Sequence, residues 1–472
     1  MRARPVSNDE IAGQLTEVLT TAGWSGFRIE GVQRLSAGTN RETFRVAIAG
    51  AAPSTHETAR STGLILQRSR LGADPRLSSC LREGQLLDVL VDPAVKAPSV
   101  VAMGDAESPI GRDFVITKAI DGETIARKVL RDPDLAQARD VGVRDCAHAL
   151  AAIHRTDLDA VAGFLPEVED SLDVQQHLWS DLQRHEPVLC YAFRWLAENR
   201  PPETGRTLVH GDFRLGNLIF DAQGLAAVLD WELAHVGDPA LDLGWFCATP
   251  WRFGSPASAG GLGSRQELLD AYAAAGGQPI DLGRLLWWEV VANLRWGVIC
   301  AQMGFAAPFA GSGALELAVV GRRFAEAEYD TLTAIGHADR WRRTGTLEEF
   351  AAPHRRLDSL ESPGQQHGLS ELVADYLASL GERVSGRDRW QLRIARNALA
   401  IAQREHALSD HIADRAANRW ASLRVSGDEE WCGLIERSPL RDVDTDALWS
   451  LVADHLAVDH PGYGQASSSK GS

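Results

Sequence analysis

Residues 208–220, LVHGDFRLGNLIF, set three polar side chains between two apolar runs. His210, Asp212 and Asn217 have the spacing H-x-D-x-x-x-x-N. The next apolar run, LAAVL at 225–229, ends at Asp230. Polar residues at strand ends have two interpretations. They form a catalytic loop, or they are turn residues whose side chains satisfy backbone amides.

Phosphoryl transfer from ATP to an alcohol is one chemistry that needs these residue types. The reaction depends on positioning and on charge neutralisation, and it needs a carboxylate for the hydroxyl proton. An Asn and a second carboxylate hold Mg²⁺ on the phosphates. Protein kinases carry these groups as H-R-D-x-x-x-x-N followed by D-F-G. Asp230 follows a predicted strand, as the second carboxylate should, and this favours the catalytic interpretation.

The flanking sequence predicts a sheet before this segment and helices around it. Residues 28–117 have the pattern of three strands, a helix and two more strands. Residues 135–345 are mostly of helical pattern, interrupted by the short strand–loop–strand segment of 208–220. We therefore expect an α+β fold with an antiparallel sheet followed by helices.

Composition shifts predict several regions along the 472 residues. We expect an N-terminal lobe at 1–117, a helical lobe with the catalytic loop at 118–350 and a linker at 351–366. A helical domain at 367–460 and a disordered tail at 461–472 would follow, because amphipathic helices resume after the linker and the end is rich in Ser and Gly.

Charge and cysteine content exclude several classes of protein. The net charge of −16 argues against binding to nucleic acid or to acidic membranes. Six scattered cysteines show no metal-ligand spacing and indicate reduced thiols. We also expect no membrane-spanning run and no secretory signal, which favours the cytoplasm. The oligomeric state is left open, and a homo-oligomer is one option.

The phrase HGDFRLGN…LDWELAHVGDPALDLGW resembles the aminoglycoside phosphotransferase and choline kinase-like family over about residues 10–345. This resemblance implies a bilobal protein-kinase-like fold that uses ATP and Mg²⁺ to phosphorylate a small molecule. It implies that Asp212 is the catalytic carboxylate and that Asn217 and Asp230 ligate Mg²⁺. His210 would brace the loop, and Asp242 would hold the loop backbone.

The resemblance also implies a nucleotide site in the N-terminal lobe. A small-residue turn would cover the phosphates, Glu83 would anchor a cation of the third strand, and adenine would bond the backbone of the segment that joins the lobes. The residues in these positions are Ser36, Ala37, Gly38, Thr39, Asn40, Glu83, Lys118, Ala119 and Ile120.

The third strand departs from the family pattern. Gln67 stands where the family has Lys, and Arg68 is its neighbour. Because successive side chains of a strand point to opposite faces, Gln67 should face the cleft. Arg68 or another Arg would supply charge there only if the strand bulges.

The C-terminal helices resemble a small helical protein that accompanies kinase-like phosphotransferases of the 4-hydroxyacyl-CoA pathway. The N-terminal half also looks like the kinase domains fused to acyl-CoA dehydrogenases. This implies an acyl-CoA acceptor, with Arg393, Arg396 and Arg404 as candidate contacts to the CoA phosphates. The alternative is that such charges form an ordinary polar helix face.

Three hypotheses follow. The first is a kinase for the hydroxyl of a 4-hydroxyacyl-CoA. The second keeps the chemistry and takes an aminoglycoside, a choline-like alcohol or a sugar alcohol as acceptor. The third is a nucleotide-binding pseudokinase scaffold, which Gln67 favours and which Asp212, Asn217 and Asp230 disfavour. Tryptophans of the helical region would either line an acceptor pocket or pack in a core: Trp245, Trp251, Trp287, Trp288 and Trp296.

Overall fold

The computed structural model describes residues 7–37, 41–50, 62–70, 79–166, 171–203, 205–337 and 369–464. The chain divides into two compact units. The first contains Met1–Glu169 and Glu203–Leu285, and the second contains Asp170–Pro202 and Leu286–Ser472. This division differs from the predicted domain boundaries, because helices on both sides of the predicted linker share one apolar core.

The first unit contains an antiparallel five-stranded sheet, with the strand order β1-β2-β3-β5-β4. One helix, α2 (Cys80–Val89), separates the third strand from the fourth. The predicted order of three strands, a helix and two strands is therefore confirmed. The strands are β1 (Phe27–Ala37), β2 (Arg41–Gly50), β3 (Thr62–Ser69), β4 (Val100–Gly104) and β5 (Phe114–Lys118).

The two faces of this sheet have different partners. Helix α1 (Asn8–Thr21), which the sequence interpretation did not assign, packs on one face through Leu15 and other apolar residues. Leu64 and Leu66 of β3 belong to that buried core. Ile65 and Gln67 alternate with them and line a cavity on the other face. The period of two along β3 thus separates a core face from a cleft face.

Two short strand pairs follow in the first unit. Strand β6 (Thr207–Val209) pairs with β9 (His235–Gly237), and β7 (Leu218–Phe220) pairs with β8 (Leu225–Val228). Together they fix both ends of the segment between β6 and β7. The helices of this unit are α3 (Ala126–Val129), α4 (Ala136–His154), α7 (Ala240–Cys247) and α8 (Arg265–Ala274).

The second unit is helical throughout its described residues. Its core joins helices from before and after residue 350, with Trp431 and Trp449 fully buried at its centre. Helix α9 begins at the end of the first unit. The helices are α5 (Ser171–Ser180), α6 (Pro187–Glu198), α9 (Leu282–Ala306), α10 (Ala314–Gly321), α11 (Phe324–Leu332), α12 (Leu369–Arg383), α13 (Gly386–Leu423), α14 (Asp428–Arg437) and α15 (Thr445–Asp459).

Helix α9 and the residues after it correct one expectation. The stretch Leu282–Phe309 is long and apolar enough, by length and composition, to cross a bilayer. The prediction that no run reaches this length was therefore wrong. Of an 18-residue apolar window within that stretch, 61% is buried in the folded chain, and core helices commonly share such a composition.

The chain ends and the cysteines also bear on the predictions. Pro461–Gly464 form turns rather than the start of a disordered tail, and the Tyr463 hydroxyl donates to Asp330 at 2.8 Å. The predicted linker, 351–366, and residues 465–472 lie outside the described residues. All six cysteines are free, as predicted.

A buried ion network in the second unit gives a test of its stability. Asp454 of α15 accepts from Arg415 at 2.6 Å and from Arg419 at 2.8 Å, and its side chain is 1% exposed. Asp454→Ala leaves two guanidinium groups without their carboxylate. We expect a loss of about 3–5 kcal/mol in the free energy of unfolding.

Chemical denaturation followed by circular dichroism measures this loss. Asp410→Ala removes an exposed carboxylate from the same helix as Arg415 and Arg419, and should change the unfolding free energy by less than about 0.5 kcal/mol. Equal effects of the two substitutions would contradict the assigned role of Asp454.

Candidate active site

The segment between β6 and β7 is fixed by the imidazole of His210. Its Nδ1 accepts the Asp212 amide at 3.1 Å, and its Nε2 donates to the Leu229 carbonyl at 3.0 Å. Burial lowers the pKa of His210, which favours the neutral ring that this pair of bonds requires. Gly211 has φ +80°, and a Cβ there would lie 2.4 Å from the Leu233 carbonyl oxygen. The loop therefore needs glycine at this position.

Asp242 of α7 hydrogen-bonds the backbone of the same loop. Its two carboxylate oxygens accept the amides of His210 at 2.7 Å and Gly211 at 2.8 Å. His154 approaches the same carboxylate at 3.1 Å. Burial opposes ionisation, but the hydrogen bonds from the His154 side chain and the His210 amide outweigh it and hold the pKa of Asp242 below its usual range. The structure thus brings Asp242 to the position that the resemblance implied.

The Asp212 carboxylate is held by three neighbours. Asn217 donates to Oδ2 at 2.6 Å, and Trp245 donates to Oδ1 at 2.7 Å. The Arg214 Nε donates to Oδ1 at 3.0 Å, while its guanidinium stacks on the Trp251 ring at 4.7 Å. The Asp212 side chain remains 14% exposed. These contacts fix its orientation and leave it accessible.

Asp230 follows β8 in a left-handed backbone conformation, with φ 67° and ψ 63°. The amide of the preceding residue, Leu229, donates to the Asn217 carbonyl at 2.8 Å, which ties this turn to the loop. Burial and the carboxylate of Glu232 raise the pKa of Asp230 to about 7. A non-glycine residue in this conformation is strained, and such strain is frequent at functional sites.

A buried cation from β2 meets these acidic groups. Arg41 contacts Glu83 at 2.6 Å, Glu232 at 2.6 Å and Asp230 at 3.6 Å. Burial would lower the pKa of Arg41, but the surrounding carboxylates outweigh it and raise that pKa. The second oxygen of Glu83 accepts the amide of Trp231 at 3.2 Å. Glu83 therefore joins the sheet, α2 and the turn after Asp230.

Gln67 and Arg68 lie on opposite faces of β3, as successive residues of a regular strand do. Gln67 lines the cavity. Strand β3 pairs without a register shift on either side, so the bulge that Arg68 would need is not present. Arg68 instead contacts Glu42 at 3.0 Å and lies over the Phe44 ring, on the core face. The structure places Arg68 outside the cleft and Arg41 inside it.

The other predicted nucleotide contacts have different surroundings. Gly38, Thr39 and Asn40 lie outside the described residues, and Ser36 and Ala37 end β1. Lys118 and Ile120 line the cavity. The amides of Lys118 and Ala119 already donate within the N-terminal sheet region, to Ser99 and Gly63 respectively. These two amides are therefore occupied, and Ile120 is the better candidate for adenine.

The cavity itself has a volume of about 740 Å³, within the usual range for small-molecule sites. It opens between the cleft face of the sheet and the loop segment of the first unit. Its lining includes Arg41, Thr43, Gln67, Glu83, Lys118, Ile120, Asn217, Asp230, Trp231 and Glu232.

The C-terminal arginines have different surroundings. Arg393 and Arg396 are exposed on α13. Arg404 donates to the Val458 carbonyl at 2.6 Å and to the Asp459 carbonyl at 3.4 Å. Arg404 thus satisfies the end of α15, which corrects its expected role as a contact to phosphate.

The tryptophans named in the sequence are all buried. Trp245 donates to the Asp212 carboxylate and Trp251 lies under the Arg214 guanidinium, so these two tryptophans lie beside the candidate catalytic carboxylate. In the second unit, Trp287 donates to the Leu196 carbonyl at 3.1 Å, and Trp296 lies under Arg323. Those contacts are packing contacts.

Sequence reasoning missed Arg41, Arg214 and Glu232. The phrase RET that opens β2 held a signal for Arg41, because its Arg and Thr43 share one strand face with the cleft. No local pattern marked Arg214 as a partner of Asp212 rather than a surface residue.

The sheet, the braced loop and the acidic turn define a kinase-like phosphotransferase. The family model described as "Phosphotransferase enzyme family" matches residues 31–288, which is more than half of the chain. The chain belongs to this family, and the prediction of a phosphotransferase is confirmed. A second family model, "Domain of unknown function (DUF6285)", matches residues 382–463.

Known proteins and structures are consistent with this assignment. A crystal structure from Ralstonia eutropha, described as that of a "putative aminoglycoside phosphotransferase", superposes with a TM-score of 0.52 and 20% identity, over 69% of this chain and 97% of that chain. This likeness confirms the predicted kinase-like fold.

The similar curated proteins are much longer than the part they share with this chain. The mouse (Mus musculus) acyl-CoA dehydrogenase family member 10 is 30% identical over 197 residues, 39% of this chain and 18% of that protein. The human (Homo sapiens) family member 11 is 25% identical over 226 residues, 43% of this chain and 28% of that protein. The chain therefore spans less than a third of the length of either relative.

Proposed function

We propose that this protein is an ATP- and Mg²⁺-dependent kinase that phosphorylates the hydroxyl of a 4-hydroxyacyl-CoA in the cytoplasm. The observation that carries the kinase chemistry is the joint placement of Asn217, Asp230 and the Arg41–Glu83 pair on one cavity, next to the fixed Asp212 carboxylate.

The acidic turn fits a magnesium ion. Arg41 is one cation among the carboxylates of Glu83, Glu232 and Asp230, so the cluster carries excess negative charge when all three are ionised. Asn217 uses its amide nitrogen for Asp212, which leaves its amide oxygen for a metal. Asp230 and Asn217 thus offer the hard oxygen donors that Mg²⁺ prefers. When bound, the metal would neutralise charge on the phosphates.

Asp212 would receive the acceptor hydroxyl. The hydrogen bonds from Asn217 and Trp245 hold its carboxylate in one orientation, and a fixed carboxylate positions an alcohol for in-line attack. His210 and Asp242 would act indirectly, because they hydrogen-bond the loop backbone rather than the substrate.

Arg41 would bind the phosphates in place of the missing Lys. It is paired with Glu83 of α2, as the family cation is paired with its helix Glu. Gln67 would add a hydrogen bond from the same face of the sheet. Lys118, Ile120 and residues 36–40 remain proposed nucleotide contacts.

The surroundings of Asp212 bear on the acceptor. Arg214 places a guanidinium next to the catalytic carboxylate, and its side chain is 25% exposed. A cation at this position attracts an anionic acceptor and repels the polycationic aminoglycosides. The names of the similar curated proteins, acyl-CoA dehydrogenase family members, support an acyl-CoA compound as that anionic acceptor. Arg393 and Arg396 remain proposed contacts to it.

Two alternatives remain to be tested. An aminoglycoside, choline-like or sugar-alcohol acceptor would use the same loop, and Arg214 disfavours the cationic ones. A pseudokinase scaffold was suggested by Gln67, and the buried Arg41 removes much of that argument because it restores the cation that Gln67 lacks.

The first test concerns the nucleotide. Arg41→Gln removes the proposed phosphate contact, and we expect the KM for ATP to rise roughly 10- to 100-fold, as for loss of a charged hydrogen bond. Arg68→Gln is the matched control, since it also removes a buried, carboxylate-paired arginine of the sheet. Its KM for ATP should stay within about twofold of wild type. A larger effect of Arg68→Gln than of Arg41→Gln would exclude this assignment.

The second test concerns turnover. Release of ADP is measured with Mg-ATP and a panel of 4-hydroxyacyl-CoAs, free 4-hydroxy acids, aminoglycosides, choline and sugar alcohols. We expect turnover on the 4-hydroxyacyl-CoAs, and Asp212→Asn should lower kcat by about 10²- to 10⁴-fold. Asp221→Asn, at an exposed turn between β7 and β8, should leave kcat unchanged. Measurable ATP binding without turnover on any acceptor would favour the scaffold.

The third test concerns the charge of the acceptor. Arg214→Gln should raise the KM for an anionic acceptor roughly 10-fold or more, with a smaller effect on a neutral alcohol and none on ATP. Arg214→Lys should recover part of this loss because it restores the charge. Equal increases for anionic and neutral acceptors would show that Arg214 only positions Asp212.

A further inference from the structure

A second cluster of ligand-type side chains lies in the helical unit, which contains none of the residues assigned to phosphoryl transfer. Glu186 precedes α6, Glu328 lies on α11 and His455 lies on α15. One ligand atom from each of them lies within 4.8 Å of the other two. Three segments distant in sequence thus converge on one point.

Glu328 is the anomalous member of this cluster. Its side chain is fully buried, and its Oε2 contacts the His455 Nδ1 at 2.7 Å. Its other oxygen, Oε1, is buried and has no hydrogen-bond partner among the described residues. A buried carboxylate oxygen without a hydrogen-bond partner destabilises the folded state. Such an oxygen is usually satisfied by a bound ion or an ordered water.

Glu186 is the second buried carboxylate of this cluster. It is buried, and Arg184 contacts its Oε1 at 2.5 Å. That contact fixes the carboxylate and leaves Oε2 for another partner, in the way that outer contacts orient metal ligands. Two buried carboxylates this close repel each other unless positive charge lies between them.

We propose that Glu186, Glu328 and His455 bind one divalent transition-metal ion of the zinc type. Carboxylate oxygens and imidazole nitrogens both ligate zinc, and an open zinc site has three protein ligands with water as the fourth. The His455 side chain is 32% exposed, which gives that water and the entering ion a path. The ion would replace the proton between His455 and Glu328 and hold α6, α11 and α15 together.

The same elements offer a matched control. His460, directly after α15, contacts Glu326 of α11 at 2.9 Å. That pair repeats the His–Glu contact of His455 and Glu328, but Arg323 takes the place of the second carboxylate. A guanidinium next to the pair excludes a metal ion. His460→Gln therefore removes a similar contact without removing a metal ligand.

The experiment measures metal content of the full-length, untagged chain. The protein is incubated with Zn²⁺, desalted and analysed by elemental mass spectrometry. We expect about one zinc per chain in the wild type, in His460→Gln and in Asp230→Asn, and less than about a tenth in His455→Gln and Glu328→Gln. Retention in Asp230→Asn separates this site from the proposed magnesium site.

Thermal unfolding gives a second readout. Zn²⁺ should raise the Tm of the wild type and of His460→Gln by several degrees, and a chelator should reverse the shift. His455→Gln should show no shift. If that variant does not fold, Glu186→Gln replaces it.

Absence of bound zinc in the wild type, or zinc binding that survives His455→Gln, would overturn the proposal. The first outcome would leave the cluster as a network of ion pairs that shares protons. The second would place the metal elsewhere in the chain.

Discussion

The ion pair between Arg41 and Glu83 is the interaction on which the catalytic cleft depends. Arg41 is buried, and an unpaired guanidinium in that position would be strongly unfavourable. One carboxylate oxygen of Glu83 pairs with the Arg41 guanidinium, and the other accepts a hydrogen bond from the Trp231 amide. One carboxylate therefore positions a strand, a helix and the acidic turn, and the cavity takes its shape from all three.

The loop that carries Asp212 depends on a second buried acid. Asp242 accepts two consecutive backbone amides, and His210 bonds both the loop and the strand end at Leu229. Neither residue faces the cavity. In this phosphotransferase, buried polar side chains hydrogen-bond the loop backbone. The few side chains at the cleft therefore have fixed directions.

The sequence predicted the parts of this site that depend on local spacing. The H-x-D-x-x-x-x-N pattern, Asp230 after an apolar strand and the alternation that turns Gln67 to the cleft all follow from the backbone period of two and from the chemistry of phosphates. Arg41 could not be predicted in this way, because its role depends on which strand face meets α2 across the sheet. The shared core of the second unit likewise joins residues that are far apart in the chain, such as Tyr191 and Trp449.

The double role of Glu83 has a consequence for regulation. Many protein kinases are switched off when the helix that carries this Glu moves outward and its ion pair breaks. Here the same movement would leave Arg41 among carboxylates of the turn without its buried partner, and it would also release the Trp231 amide. Each loss costs free energy separately, so α2 is poorly suited to act as a switch. We therefore expect a cleft assembled in this way to keep its arrangement without a separate activating contact.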